Sequence, residues 1–155
     1  LRGLLESSYY FNKKLKQEIL KHVTFASEKI LRKYEINKKK PYMMPDFLPA
    51  IFNEKWNSIE NYTCLTGNAQ IAIIWLKLYK IHNDARFLNS ALKIVDQIKM
   101  IQNLKISNDG IRGGVPGSYP IWGGYMPYSY PNWATKFFSD AIMYQEEIMK
   151  ELEEK

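Results

Sequence analysis

Apolar residues recur along this chain in two ways, and the two alternate. Over residues 15–34 they fall at Leu15, Ile19, Val23, Ala26, Ile30 and Tyr34, a single stripe at helical spacing. Over 66–81 they crowd every side (Ala69, Ile71, Ala72, Ile73, Ile74, Trp75, Leu76, Leu78), which predicts a helix buried all round. The stripe returns over 85–102 at Leu88, Ala91, Leu92, Val95 and Ile98, and a fifth helix starts near Trp133 with Phe137, Phe138, Ala141, Ile142, Tyr144, Ile148 and Leu152. A first segment, 3–11, is apolar nearly all round and completes a set of about five helices. Short polar turns, Asn12-Lys13-Lys14 and Asn83-Asp84, separate the members of each pair.

The pairs are joined by long connections, 37–62 and 104–133. All seven prolines lie there: Pro41, Pro45 and Pro49 in the first, Pro116, Pro120, Pro127 and Pro131 in the second. The order is buried helix, short turn, striped helix, long loop, then the same again after about 65 residues, longer than common solenoid repeats of roughly 20–50. This alternation predicts an all-α chain in two layers, with both long loops leaving the same end. The second loop, GIRGGVPGSYPIWGGYMPYSYPNW, holds most of the glycines and is dense in tyrosine and tryptophan. Loops this long are usually functional or disordered. Disordered segments are poor in aromatics, so this one is expected to be ordered, either as an aromatic binding surface or as a small core of its own.

Composition removes whole classes of function. The chain has 155 residues, 46% hydrophobic and 25% charged, enough for one real core. No apolar run of about 18 residues predicts a membrane span, and the start, LRGLLESSYYFNKK, lacks a leader pattern; a cytoplasmic protein is expected. The absence of an initiator Met suggests part of a longer chain. A single cysteine, Cys64, excludes a disulfide framework and a multi-cysteine zinc site, and with only His22 and His82 no metal and no cofactor are expected. Asn61-Tyr62-Thr63 is read as a chance sequon. The net charge of +6 is uneven, with about +7 in residues 1–40 and acids at the C-terminus (Glu146, Glu147, Glu151, Glu153, Glu154). Lys29, Lys33, Lys38, Lys39 and Lys40 lie on an amphipathic helix and its end, so a solvated face is expected rather than a nucleic-acid partner.

The run Cys64-Leu65-Thr66-Gly67-Asn68-Ala69-Gln70, then an apolar helix, then Asn83-Asp84-Ala85-Arg86-Phe87, resembles the helical hairpins of the α/α-toroid superfamily. That group includes six-hairpin glycosidases, sugar epimerases and polysaccharide lyases, and the terpenoid-cyclase and prenyltransferase toroids. The resemblance covers most of the chain as a hairpin pattern and implies a single α/α-hairpin domain, a partial toroid completed by more of the polypeptide or by self-association. No DDxxD-like run supports a prenyl substrate, and Cys64 is followed by leucine rather than the histidine of the lanthionine-synthetase zinc pattern.

A saccharide is the ligand the loops suggest, because aromatic faces stack on sugar rings and tyrosine hydroxyls add uncharged hydrogen bonds. The expected contact residues are Trp56, Arg112, Tyr119, Trp122, Tyr128, Tyr130 and Trp133. Arg112, between glycines, is free to reach a carboxylate or phosphate, or to pair with Asp109. For catalysis, Glu54 and Glu60 flank Trp56 and supply the paired carboxylates of glycoside chemistry, and Tyr125 suits base catalysis of lyase or epimerase type. Thr66 is the expected cap of the third helix, and Cys64 is read as a small buried residue. Hydrolase, epimerase and lyase remain open. A non-catalytic module using the same aromatics to hold a protein partner is the alternative.

Overall fold

The computed structural model describes residues 1–37 and 47–154. Pro41, Pro45, Asp46, Lys38, Lys39 and Lys40 lie outside them. Among the described residues the chain is mostly helical: α1 (Arg2–Ser7) runs on into a 3₁₀ turn at Ser8–Tyr10, and α2 (Lys13–Asn37), α3 (Leu65–His82), α4 (Ala85–Ile101) and α5 (Asn132–Glu153) follow. A short antiparallel pair, β1 (Thr63–Cys64) with β2 (Ser118–Tyr119), joins the two long loops.

α3 is the hub. It packs extensively against α4 and α5 and also meets α1 and α2. Its buried residues run from Leu65 to Leu78 and fall on nearly every side, with Trp75 fully buried against Tyr34 of α2 at 5.5 Å between ring centroids. α4 buries one stripe (Phe87, Leu88, Ala91, Ile94, Val95, Ile98), as its period requires. The turn between them is set by two residues. Asn83 ends α3 in the left-handed conformation, which Asn tolerates better than most residues, and Asp84 caps α4 by accepting the Arg86 N–H at 2.9 Å.

Two expectations need correction. The first segment is not buried all round: only Leu5 and Ser8 are enclosed, while Leu4, Tyr9, Tyr10 and Phe11 face outward. α1 lasts six residues, too short to wrap an apolar surface; it packs on α2 and α3, and Arg2 reaches α5. Thr66 is not the cap of α3. The helix starts one residue earlier, and Cys64 takes that place, its sulfur accepting the Gly67 N–H at 3.4 Å.

The first loop is also more regular than its prolines suggest. Residues 50–62 fold back as a hairpin, with Ala50 N–H on the Tyr62 carbonyl and a Phe52–Ser58 bridge. Asn53 turns the corner by accepting the N–H groups of Lys55 and Asn57 on its side chain, an Asx turn that needs neither Gly nor Pro.

Candidate functional site

The two long loops meet over the N-terminus of α3. Their junction is built on Asn68, buried in the first turn of that helix. Its side-chain oxygen accepts the Leu48 N–H at 2.9 Å, and its NH₂ donates to the Leu48 carbonyl at 3.2 Å, the Thr63 hydroxyl at 2.7 Å and the Cys64 carbonyl at 2.9 Å. The amide thus mimics a neighbouring strand and reads the backbone of the incoming loop. Thr63 adds a hydroxyl bond to the same Leu48 carbonyl. The side chains of Asn68 and Thr63 are both hydrogen-bonded here, and satisfied buried groups rigidify a network.

The second loop then threads through the clasp rather than over it. Val115, Pro116, Gly117 and Ser118 are buried. Leu65 N–H donates to the Gly117 carbonyl, and Gly117 N–H donates to the Ser129 carbonyl, so Gly117 lies between two backbone neighbours. A Cβ at Gly117 would stand 2.7 Å from the Met126 Cβ and 2.8 Å from the Tyr125 carbonyl oxygen, closer than real contacts allow. A Cβ at Gly123 would likewise stand 2.8 Å from the Cβ of Tyr62 in the first loop. These glycines serve loop-on-loop packing.

The expected site residues separate into three groups. Trp56, with Glu54, sits in the hairpin turn beside α2, where Phe52 approaches the indole at 6.0 Å and Lys33 reaches Asn57 at 3.4 Å. Neither the Glu54 nor the Glu60 carboxylate meets a hydrogen-bonding or ionic partner among the described residues. Tyr119, in β2, packs inward against Phe47 at 6.4 Å, so it serves the loop's own core.

The second group is the crest of the second loop. Trp122 and Tyr128 are 64% and 74% exposed. Met126 and Tyr128, either side of Pro127, both hold positive φ (50° and 53°), a conformation uncommon outside glycine. Tyr125 lies beneath them, half-buried, and its phenol oxygen accepts the Trp133 indole N–H at 2.9 Å.

The third group lines a shallow groove of about 520 Å³ between residues 110–114 and the start of α5. Arg112, Tyr130, Asn132, Lys136 and Ser139 face it. Arg112 forms an exposed ion pair with Asp109. Lys136 pairs with Asp140 at 2.6 Å and lies over the Phe137 ring. A guanidinium has five donors and an ammonium three, so both retain hydrogen-bonding capacity toward a bound anion. The Tyr130 hydroxyl and the Asn132 amide have no hydrogen-bond partner among the described residues.

Cys64 borders the clasp but is poorly suited to nucleophilic work. Burial pushes its thiol above the ordinary range, and the N–H groups of Gly67 and Thr66 offset this only in part. Among the described residues no cluster of His, Cys, Asp and Glu is placed to hold a metal ion, and no helix is long and apolar enough to cross a membrane.

Sequence reasoning missed Asn68 and Ser118 as organisers of this face. An asparagine in the first turn of an otherwise apolar helix was the available signal, since a buried amide must be satisfied. In comparisons with protein-family models, curated proteins and solved structures, the chain matches none. The functional reading therefore rests on the loop face itself.

Proposed function

We propose that the joined loops bind a saccharide that carries an anionic group, with the chain forming part of an α/α toroid. The groove between Arg112 and Lys136 is the observation that carries this reading. It combines two cations with uncharged donors on Tyr130 and Asn132; Trp133 follows Asn132 in the chain, and Trp122 is an exposed ring of the same loop. Carboxylate recognition by a guanidinium plus stacking on indole is the combination an acidic sugar requires. Catalysis by Glu54 or Glu60 belongs to the same proposal, as does the choice among hydrolysis, epimerisation and elimination. Glu54 lies in the hairpin turn and Glu60 on the hairpin arm that leads to β1, both in the first loop.

Calorimetry with acidic and neutral oligosaccharides tests the reading. Arg112→Ala is expected to weaken an acidic ligand by about 1.5–3 kcal/mol, the usual worth of a hydrogen bond to a charged group, and Trp122→Ala to weaken it by stacking loss. Binding of no saccharide, or no change on either substitution, would remove the proposal.

A protein-binding or self-associating surface is favoured by one observation: Trp122, Met126 and Tyr128 form an outward apolar crest. Light scattering separates the two readings. A dimer that Trp122→Ala dissociates would support the second.

A further inference from the structure

Tyr125 is held more firmly than the exposed aromatic residues around it. Its N–H donates to the Ser118 hydroxyl at 3.1 Å, and its carbonyl accepts the proton of that same hydroxyl. Ser118 is fully buried in β2, opposite Cys64 of β1, so the clamp is anchored to the loop junction. Gly117 supplies the space in which the Tyr125 carbonyl lies. The side chain is fixed at its far end too, by the Trp133 indole N–H from the first turn of α5. By contrast, the side chains of Trp56, Trp122 and Tyr128 make no hydrogen bond among the described residues.

We infer that Tyr125 reads a ligand hydroxyl on the loop face and that Trp133 is the residue that positions it. The inference rests on the saccharide reading above and specifies how uncharged groups of the sugar are recognised. An indole can only donate, so the phenol oxygen must accept from it. That leaves the Tyr125 proton without an acceptor among the described residues, pointed away from the Trp133 bond. Accepting one hydrogen bond strengthens the donor on the same oxygen. Trp133 is 42% exposed and offers its ring for stacking beside the hydroxyl it steers. Asn132, the preceding residue, lines the Arg112 groove, so the pair borders the anion-binding part of the face. Charge and hydroxyl pattern would then be read by adjacent but separate groups.

The alternative role is a staple between loop and helix. Two substitutions keep an aromatic ring at each position and remove its hydrogen-bonding group: Tyr125→Phe and Trp133→Phe. The probes are tetragalacturonate, hyaluronan tetrasaccharide and neutral maltotetraose, titrated by calorimetry. 5-Fluorotryptophan labelling adds a ¹⁹F signal for Trp133, assigned by its loss in Trp133→Phe. The expected result is a ligand-dependent shift of that signal and roughly five- to tenfold weaker binding by Tyr125→Phe, the worth of one hydrogen bond in a formed site. Trp133→Phe should weaken binding as well, and the double variant should bind no worse than about twofold below Tyr125→Phe, because the two residues act as one unit. If the native chain binds a saccharide and Tyr125→Phe binds it equally well, or the Trp133 signal stays fixed, the inference falls while the saccharide reading stands. If the native chain binds none of the three, both fall.

Discussion

Asn68 shows how one side chain can determine a loop's path. Its amide satisfies both backbone groups of Leu48 and two further acceptors, all out of water. Asn68→Asp keeps the shape but replaces the donating NH₂ with an acceptor facing the Leu48 and Cys64 carbonyls. Loss of about 2–4 kcal/mol is expected in urea unfolding, since buried acceptors left unpaired cost their desolvation; a change under about 0.5 kcal/mol would mean the clasp is dispensable. Met126 and Tyr128 provide the opposite case. A left-handed residue with a Cβ costs roughly 1–2 kcal/mol, partly offset because glycine loses more chain entropy on folding. Tyr128→Gly should therefore leave stability unchanged or raise it by up to about 1 kcal/mol, while removing an exposed ring from the crest. A gain in thermal stability with loss of ligand or partner binding is the expected signature of a residue kept for function.

At the scale of elements, the α3–α4 turn has a pH dependence whose sign can be worked out. The hydrogen bond from Arg86 holds the Asp84 carboxylate below its usual range, with a smaller opposing effect of burial. A group whose folded pKa is depressed contributes stability above its unfolded pKa and loses it as pH falls through the folded value. Stability from this cap is thus complete above about pH 4 and declines in acid below it. Asp84→Asn keeps the cap and removes the titration, so its unfolding midpoint should fall less steeply between about pH 4 and 2 than that of the native chain. The loop elements depend on close approach instead. Gly117→Ala would force Met126 and the Tyr125 carbonyl apart, and about 2 kcal/mol or more of destabilisation is expected, with faster amide exchange of Ser118, Tyr125 and Ser129. Exchange unchanged at these three positions would show that the loop can re-form around a Cβ.

At the scale of the whole molecule, the exposed surface of α5 differs from that of the N-terminal segment. The exposed positions of α5 mix Lys136, Ser139, Glu146 and Lys150 with Met143 and Met149. The N-terminal segment beside it shows Leu4, Tyr9, Tyr10 and Phe11, with Tyr10 90% exposed. A chain of ion pairs ties α1 to α3 and α5: Lys77 and Arg2 both reach Glu6, and Arg2 reaches Asp140 of α5. Since Leu4, Tyr10 and Phe11 contact little, replacing them together with Asn, Ser and Ser should change stability by less than about 0.5 kcal/mol per site. The same triple variant should lower any concentration-dependent scattering of the purified chain, since an apolar cluster of this kind favours association. A large loss of stability would mean that these residues pack after all.

The helical character of the chain and the burial of α3 and α4 were legible in the amino-acid pattern, whereas the exposure of the first segment was not. The all-round apolarity of residues 69–78 can be satisfied only in the middle of a helical stack, and the 3.6-residue stripe of α4 allows only one covered face. Asn83-Asp84 wrote its own turn, because left-handed tolerance and N-capping are properties of those two side chains. The aromatic wealth of the second loop likewise indicated order. What the sequence left undetermined is which of those aromatics look outward. Tyr119 and Trp122 are three residues apart in the same run, yet one packs on Phe47 and the other faces solvent. That difference follows from the β1–β2 register, from Ser118 clamping Tyr125 and from Asn68 holding Leu48, contacts between residues 7 to 56 positions apart. Local pattern fixes periodicity and turns because neighbours in the chain enforce them; long-range hydrogen bonds exist only once the helices have brought their ends together, and they decided where the loop face lies and which side chains it presents.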